Sequence, residues 1–225
     1  MLTFTITTST KLASISLFEN DSMLGNININ VRKTHSTSIM DQVSKLFEWT
    51  NTNIDNVENV IISTGPGSFT GVRIAMSLIK GIFALSPNVK IYEVSELDAL
   101  QYMAKNYANV IVAGIDSRKG KIYCNIVENG QKKLEDGVYN IQDIVEKVSK
   151  IDKTIAFVGD IYLNYKDIIK HDKLVNLSYN ITNINSNVYY DMFCENLLKV
   201  RKIEEIVPEY LEKSQAEKDY NNGNT

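Results

Sequence analysis

The first thirty residues alternate between hydrophobic and polar side chains, the pattern of half-buried β-strands. Residues 3–7, 13–17 and 26–31 each show this alternation, and two short polar turns separate them. The sequence therefore predicts an N-terminal meander of three strands.

Helical and strand patterns then follow one another to the end of the chain. Apolar residues at helical spacing predict helices, and short runs rich in β-branched residues predict buried strands. The predicted elements after the meander are a helix from Ile39 to Trp49, a strand at 60–62, a helix at 70–84, a strand at 91–94, a helix at 96–107, strands at 109–116, 121–128 and 132–139, helices at 141–151 and 161–169 around a strand at 155–158, a strand at 174–177, a helix at 187–202 and a docked tail strand at 207–211.

The order β-β-β-α-β-α-β-α occurs twice, approximately. Such internal repetition constrains the architecture. We predict a two-lobed α/β protein of the actin/hexokinase/Hsp70-like fold with a duplicated βββαβαβα topology. The N-terminal lobe spans residues 1–106 and the C-terminal lobe residues 107–225, with a tail that could return to the N-terminal lobe.

A glycine-rich segment between a buried strand and a helix carries the most local information. Its glycines permit tight backbone turns, and Ser68 or Thr70 can cap the helix, whose free N–H groups form an anion site. It could equally be a strand-to-helix turn that needs its glycines for packing. The segment lacks the Gly-Lys-Ser/Thr of a P-loop, the spacing of a dinucleotide fingerprint and a Gly-x-Ser-x-Gly elbow. Its residues are Gly65, Pro66, Gly67, Ser68, Phe69, Thr70 and Gly71.

Composition excludes several other classes of protein. The 24 basic and 27 acidic side chains give a net charge of -3, which argues against wrapping nucleic acid by bulk electrostatics. Two distant cysteines form no disulfide framework, and two distant histidines form no metal motif. No signal peptide and no membrane-length apolar run is present, so we expect a cytoplasmic protein without a membrane contact.

The segment Gly65–Arg73, followed by Lys80-Gly81, resembles the signature of the TsaB (YeaZ) family. The resemblance extends along nearly the whole chain. The supporting segments are His35-Ser36, residues 94–97, Ile115–Tyr123 (similar to Asp-Ala-Arg-x-Gly-x-x-Tyr) and Pro208–Leu211 (similar to a closing Pro-x-Tyr-Leu).

The resemblance implies a role in making threonylcarbamoyladenosine beside the anticodon of tRNA. It implies a non-catalytic subunit that binds and activates a TsaD-like catalytic partner, together with a TsaE-like ATPase. We expect tRNA to be bound only through the complex, and we expect no tightly bound cofactor and no metal. The resemblance also leaves room for ATP or ADP at the subunit interface. The residues implied in partner binding or dimerisation are His35, Ile39, Arg73, Ile74, Ser77, Leu78, Gly81 and Ile82.

One position departs from the family pattern. The family often reads Ile-Asp-Thr-Ser on the first strand, and here Thr7 follows Ile6. In active relatives of this fold that acid manages metal and phosphate, so the change weakens the case for independent nucleotide hydrolysis. Glu96, Asp116 and Asp160 are candidate residues of the cleft between the lobes, although strand-end and helix-start positions explain them too.

Two alternatives remain open from the sequence. The chain could be an independent enzyme, either a small-molecule kinase of this fold or a peptidase. It could also be a homodimeric binding module whose helices pair with a second copy.

Overall fold

A computed structural model describes residues 1–30 and 38–212 of the chain. None of the helices within these residues is long and apolar enough to cross a lipid bilayer. The strands are β1 (Leu2–Thr7), β2 (Leu12–Glu19), β3 (Ser22–Asn30), β4 (Val57–Gly65), β5 (Lys90–Ser95), β6 (Val110–Asp116), β7 (Lys121–Glu128), β8 (Gln131–Asn140), β9 (Ile155–Val158) and β10 (Lys199–Arg201). The helices are α1 (Ile39–Trp49), α2 (Phe69–Phe83), α3 (Glu96–Ala104), α4 (Ile141–Ser149), α5 (Ile161–Asn164), α6 (Tyr179–Thr182) and α7 (Asn187–Cys194).

The strands form two mixed sheets. The first has the order β10-β5-β4-β1-β2-β3, and the second has the order β8-β7-β6-β9. In each sheet an antiparallel meander continues into parallel strands, because β1 pairs with β4 and β6 pairs with β9 in parallel. This repeated arrangement confirms the predicted actin/hexokinase/Hsp70-like fold.

The period-two alternation of the strands divides the protein into layers of helices and sheets. In β6, Val110 and Val112 face α4 and α5, whereas Ile111 and Ala113 face α3 and α7. The first sheet likewise has α1 and α2 on its outer face. Helices α3 and α7 thus lie between the sheets and share one core with both.

The second half of the chain has fewer strands and shorter helices than the sequence predicts. Residues 174–177 form no strand, and Leu174 makes only an isolated bridge to Ile155. The segment 161–169 is helical only over α5, because Tyr165 leaves the helical conformation. The second sheet therefore has four strands among the described residues, where the duplicated order predicts five.

The predicted final helix at 187–202 is also wrong in its second half. Helix α7 ends at Cys194, and Asn196 adopts a left-handed φ of 57° that terminates it. Leu197 and Val200, two apolar residues of the predicted helix, are 54% and 58% exposed. The chain instead forms β10, which pairs antiparallel with β5 of the first sheet.

The tail forms no strand at 207–211, but it does contact the first sheet. Ile206 is buried in the core between that sheet and its outer helices. The backbone N–H of Glu209 then donates to the Thr64 carbonyl over 2.8 Å. We call residues 207–212 the C-terminal strap.

Candidate functional site

The glycine-rich segment packs directly on the turn between β1 and β2. The Ser68 N–H donates to the Ser9 carbonyl over 2.6 Å. The Thr8 hydroxyl in turn donates to the Gly71 carbonyl over 2.6 Å. These bonds join the end of β4 and the start of α2 to the end of β1.

The close approach of the two backbones requires glycine at two positions. A Cβ at Gly67 would lie within 3.0 Å of the Ser9 carbonyl oxygen, and one at Gly71 would overlap the Thr8 carbonyl oxygen. Both contacts are with backbone, which cannot move aside as a flexible side chain can. Gly65 is needed for a different reason, since its φ of 103° is one that residues with a Cβ rarely adopt.

The helix N-terminus in this segment is partly satisfied by the chain itself. The Ser68 side chain accepts from the Gly71 N–H, which confirms the predicted cap, and the Ser68 carbonyl accepts from Val72. Because the turn of β1 and β2 fills the space beside the loop, the geometry favours the packing interpretation of the motif over the anion site.

The strap lies against the same segment. The Tyr210 ring stacks on Phe69, with centroids 4.8 Å apart and planes at 18°. The Arg73 Nε–H donates to the Tyr210 hydroxyl over 2.6 Å. Tyr210 is a residue of this site that the sequence reasoning missed, although its motif had been noted.

Helix α2 has a buried face and an exposed face. Arg73, Ser77 and Gly81 recur every four residues and are exposed. A neighbouring row, formed by Ile74, Leu78 and Ile82, is partly buried and packs on the outer core of the first sheet. The partner-binding residues suggested by the resemblance thus separate into two rows along one helix.

Gly81 has no role that the chain itself explains. A Cβ there would meet nothing within 4 Å, and no positive φ demands glycine. Glycine inside a helix costs about 1 kcal/mol relative to alanine. A surface that another backbone approaches closely would account for it.

Two further residues from the resemblance lie elsewhere. Ile39 is 2% exposed and belongs to the outer core, so its side chain supports α1 from inside and offers a partner no surface. His35 lies outside the described residues.

Glu96 is fully buried between the two sheets. The Thr7 and Ser9 hydroxyls donate to one of its oxygens, and Tyr189 of α7 donates to the other over 2.7 Å. Burial raises the pKa of this carboxyl, and the hydroxyl donors oppose that rise. An aspartate at position 7 would place a second carboxylate beside Glu96, whereas Thr7 donates to it.

Asp116 and Asp160 meet at the ends of β6 and β9. The Asp116 N–H donates to an Asp160 carboxylate oxygen over 2.7 Å, and Tyr165 donates its hydroxyl to Asp116 over 2.8 Å. Burial raises the pKa of Asp160 to about 6. Of the two interpretations that the sequence left open for Asp116 and Asp160, these contacts support the structural role at the strand ends over the role in the cleft.

Two other features lie apart from this region. A cavity of about 690 Å³ opens beside the C-terminal half of α3, lined by Gln101, Tyr102, Tyr107 and Asn109 among others. Within residues 1–30 and 38–212, no group of three or more His, Cys, Asp or Glu side chains is arranged to hold a metal ion.

The two sheets, the shared inner core and the sealed glycine-rich loop define a two-lobed α/β protein of the actin/hexokinase/Hsp70-like class. Residues 23–220 match the sequence model of the family described as "TsaD: tRNA N6-adenosine threonylcarbamoyltransferase". The chain belongs to this family, and its similarities place it in the TsaB/YeaZ group.

Curated relatives and solved structures that carry the TsaB or YeaZ name are similar to this chain. The tRNA threonylcarbamoyladenosine biosynthesis protein TsaB of Bacillus subtilis is 26% identical over 76% of each chain. The protein of that name from Buchnera aphidicola subsp. Baizongia pistaciae is 25% identical over 91% of this chain and 95% of its own. The structure of YeaZ from Pseudomonas aeruginosa is similar in fold, with a TM-score of 0.69 and 19% identity over 93% of this chain and 99% of its own.

The packing of the glycine-rich loop gives a matched pair of variants. Gly71→Ala should lower the free energy of unfolding by about 1–3 kcal/mol, because its methyl group overlaps the Thr8 carbonyl. Gly81→Ala should raise it by about 0.5–1 kcal/mol, because the helix gains propensity in open space. Urea denaturation of both variants measures the difference, and equal effects would contradict the packing described here.

The raised pKa of Asp160 predicts a pH dependence. The ordinary pKa of this carboxyl is 3.8, and its pKa in the folded protein is about 6. As the pH rises between these two values, the unfolded chain releases the carboxyl proton before the folded chain does. The free energy of unfolding therefore falls by up to about 3 kcal/mol as pH rises through this window.

The variant Asp160→Asn keeps an acceptor for the Asp116 N–H and should lack that fall. Denaturation at pH 4 and pH 7 tests this, with exposed Asp167→Asn as the control; profiles that run parallel to wild type would refute it.

Proposed function

We propose that the chain is a non-catalytic subunit of the complex that makes N6-threonylcarbamoyladenosine in tRNA. In this proposal it binds a TsaD-like catalytic partner through the outer face of α2 and holds that partner in its active arrangement. A TsaE-like ATPase is a further member of the complex, and tRNA is held by the assembly. Membership of the family supports the pathway, since its curated relatives are named for threonylcarbamoyladenosine biosynthesis.

The observation that carries the binding role is the exposed row of Arg73, Ser77 and Gly81. Ser77 and Gly81 are small enough to let a second backbone come close, while the adjacent Ile74 and Leu78 provide apolar surface at the margin of this row. Gly81, the last residue of this row, destabilises the isolated helix and has no function inside the chain. A close helix–helix contact with a partner would give this glycine a function.

The accessory role is supported by the packing and the residues at the place where active relatives of this fold hold phosphate. The glycine-rich loop fills the space beside the β1–β2 turn, and its Ser68 N–H is bound to Ser9. Thr7 carries no charge, and its hydroxyl donates a hydrogen bond to Glu96. Both features oppose the kinase alternative. A nucleotide in the assembled complex would then lie at the subunit interface.

The pathway assignment is tested by removing the protein from cells. Depletion should lower the threonylcarbamoyladenosine content of tRNA nucleosides, measured by mass spectrometry, and re-expression of the wild-type chain should restore it. An unchanged content after depletion would contradict the proposal.

The binding surface is tested at Gly81. Gly81→Arg places a long side chain on the outer face without an internal clash, and should weaken binding of the TsaD-like partner by more than about 100-fold. Gly81→Ala is the control for the change in helix propensity and should bind far better than the arginine variant. Leu78→Glu is less suitable, because Leu78 also packs on the core. Affinity is measured by titration calorimetry, and full binding by the arginine variant would exclude this face.

The homodimeric alternative uses the same face of α2, so it competes with the proposed complex. Light scattering of the chain alone and with equimolar partner distinguishes them. We expect a one-to-one complex that replaces any homodimer. A homodimer that persists in the presence of partner would favour the binding-module alternative.

A further inference from the structure

Arg73 is an exposed cation whose charge is not neutralised by the described part of the chain. No carboxylate of residues 1–30 or 38–212 forms an ion pair with it, and its polar partner is the Tyr210 hydroxyl. That bond uses the Nε–H alone. The four N–H groups of the two terminal nitrogens remain available on the outer face of α2.

The strap fixes the position of this guanidinium. The guanidinium carbon of Arg73 lies 5.4 Å from the centroid of the Tyr210 ring, so Tyr210 contacts the guanidinium through both its hydroxyl and its ring. Tyr210 is itself held by the stack on Phe69 and by the adjoining backbone bond from Glu209 to Thr64. A free arginine side chain loses about 2 kcal/mol of rotamer entropy when it is ordered. Here much of that loss has already occurred before a partner arrives.

We propose that Arg73, oriented by Tyr210, docks a carboxylate of the catalytic partner, so that the C-terminal strap is part of the docking surface. A guanidinium with its Nε occupied still presents paired N–H groups that match the two oxygens of a carboxylate. Tyr210 is a positioning residue in this inference, since it acts through Arg73. The inference rests on the proposed function and adds the chemistry of the contact.

The surroundings of Arg73 favour a protein carboxylate over a nucleic-acid phosphate. Polyanion binding depends on several cations that neutralise successive phosphates. The next residues along the exposed row, Ser77 and Gly81, carry no charge, and the flanking row is apolar. The next basic residue of the helix is Lys80, half-buried and two turns away from Arg73. One oriented arginine at the edge of an apolar, close-packing surface is typical of a protein interface.

The experiment measures the affinity of the full-length chain for its TsaD-like partner at several NaCl concentrations. Arg73→Gln should weaken binding by about 10- to 100-fold, as expected for loss of a charged hydrogen bond, and should reduce the salt dependence. Tyr210→Phe keeps the stack on Phe69 but loses the hydroxyl, and should weaken binding by about 3- to 10-fold. Tyr179→Phe, at a tyrosine 51% exposed elsewhere, is the matched control and should bind like wild type.

The double variant separates positioning from independent effects. If Tyr210 acts through Arg73, Tyr210→Phe adds no loss once Arg73 is glutamine. Independent, additive losses would overturn the positioning role. Unchanged affinity of Arg73→Gln would overturn the inference as a whole, and so would a Tyr210→Phe variant that loses thermal stability while it binds normally.

The outcomes also separate this inference from the proposed function. If Gly81→Arg abolishes binding and Arg73→Gln does not, the proposed function stands and the carboxylate contact falls. If the wild-type chain does not bind the partner, both fall. Loss of tRNA affinity by the assembled Arg73→Gln complex, with subunit affinity intact, would assign Arg73 to phosphate and overturn the carboxylate contact.

Discussion

The backbone contact between the glycine-rich loop and the β1–β2 turn is the constraint on which the rest of the N-terminal lobe depends. It places Gly67 and Gly71 against the carbonyls of Ser9 and Thr8 and so fixes where α2 begins. The axis of α2, the exposure of its outer row and the surface that the strap can reach all follow from that start. The same contact fills the space beside the β1–β2 turn, where the Ser68 N–H is bound to the Ser9 carbonyl.

The buried Glu96 links this contact to α7, which lies between the two sheets. Its carboxyl takes hydroxyl donors from β1 and the turn, and from Tyr189 of α7, which follows the second sheet in the chain. A buried carboxyl is tolerated only when its oxygens are satisfied, so removing any donor is costly. Thr7 fits this network because it donates.

The sequence predicted elements well where periodicity was strong and failed where a turn or a distant contact decided the outcome. Helix α2 differs from its prediction by one residue at each end, because its apolar face and its serine cap are both local signals. The end of α7 was missed, although Asn196 is a residue type that tolerates the left-handed conformation that ends helices. Glu96 and Tyr210 could not be placed by pattern, since their partners lie 87 or more residues away in the first case and 137 in the second.

The strap shows why such distant contacts matter for the site. Exposure alone would make Arg73 a mobile surface cation, which contributes little to binding because its ordering offsets the attraction. The last part of the chain changes this, since Ile206 anchors it in the outer core and Tyr210 then reaches Arg73 beside α2. The outer face is thus built from two segments that are far apart in sequence. In the proposed complex, Ser77 and Gly81 would determine how close a partner can come, and Arg73 would determine which group of that partner lies opposite.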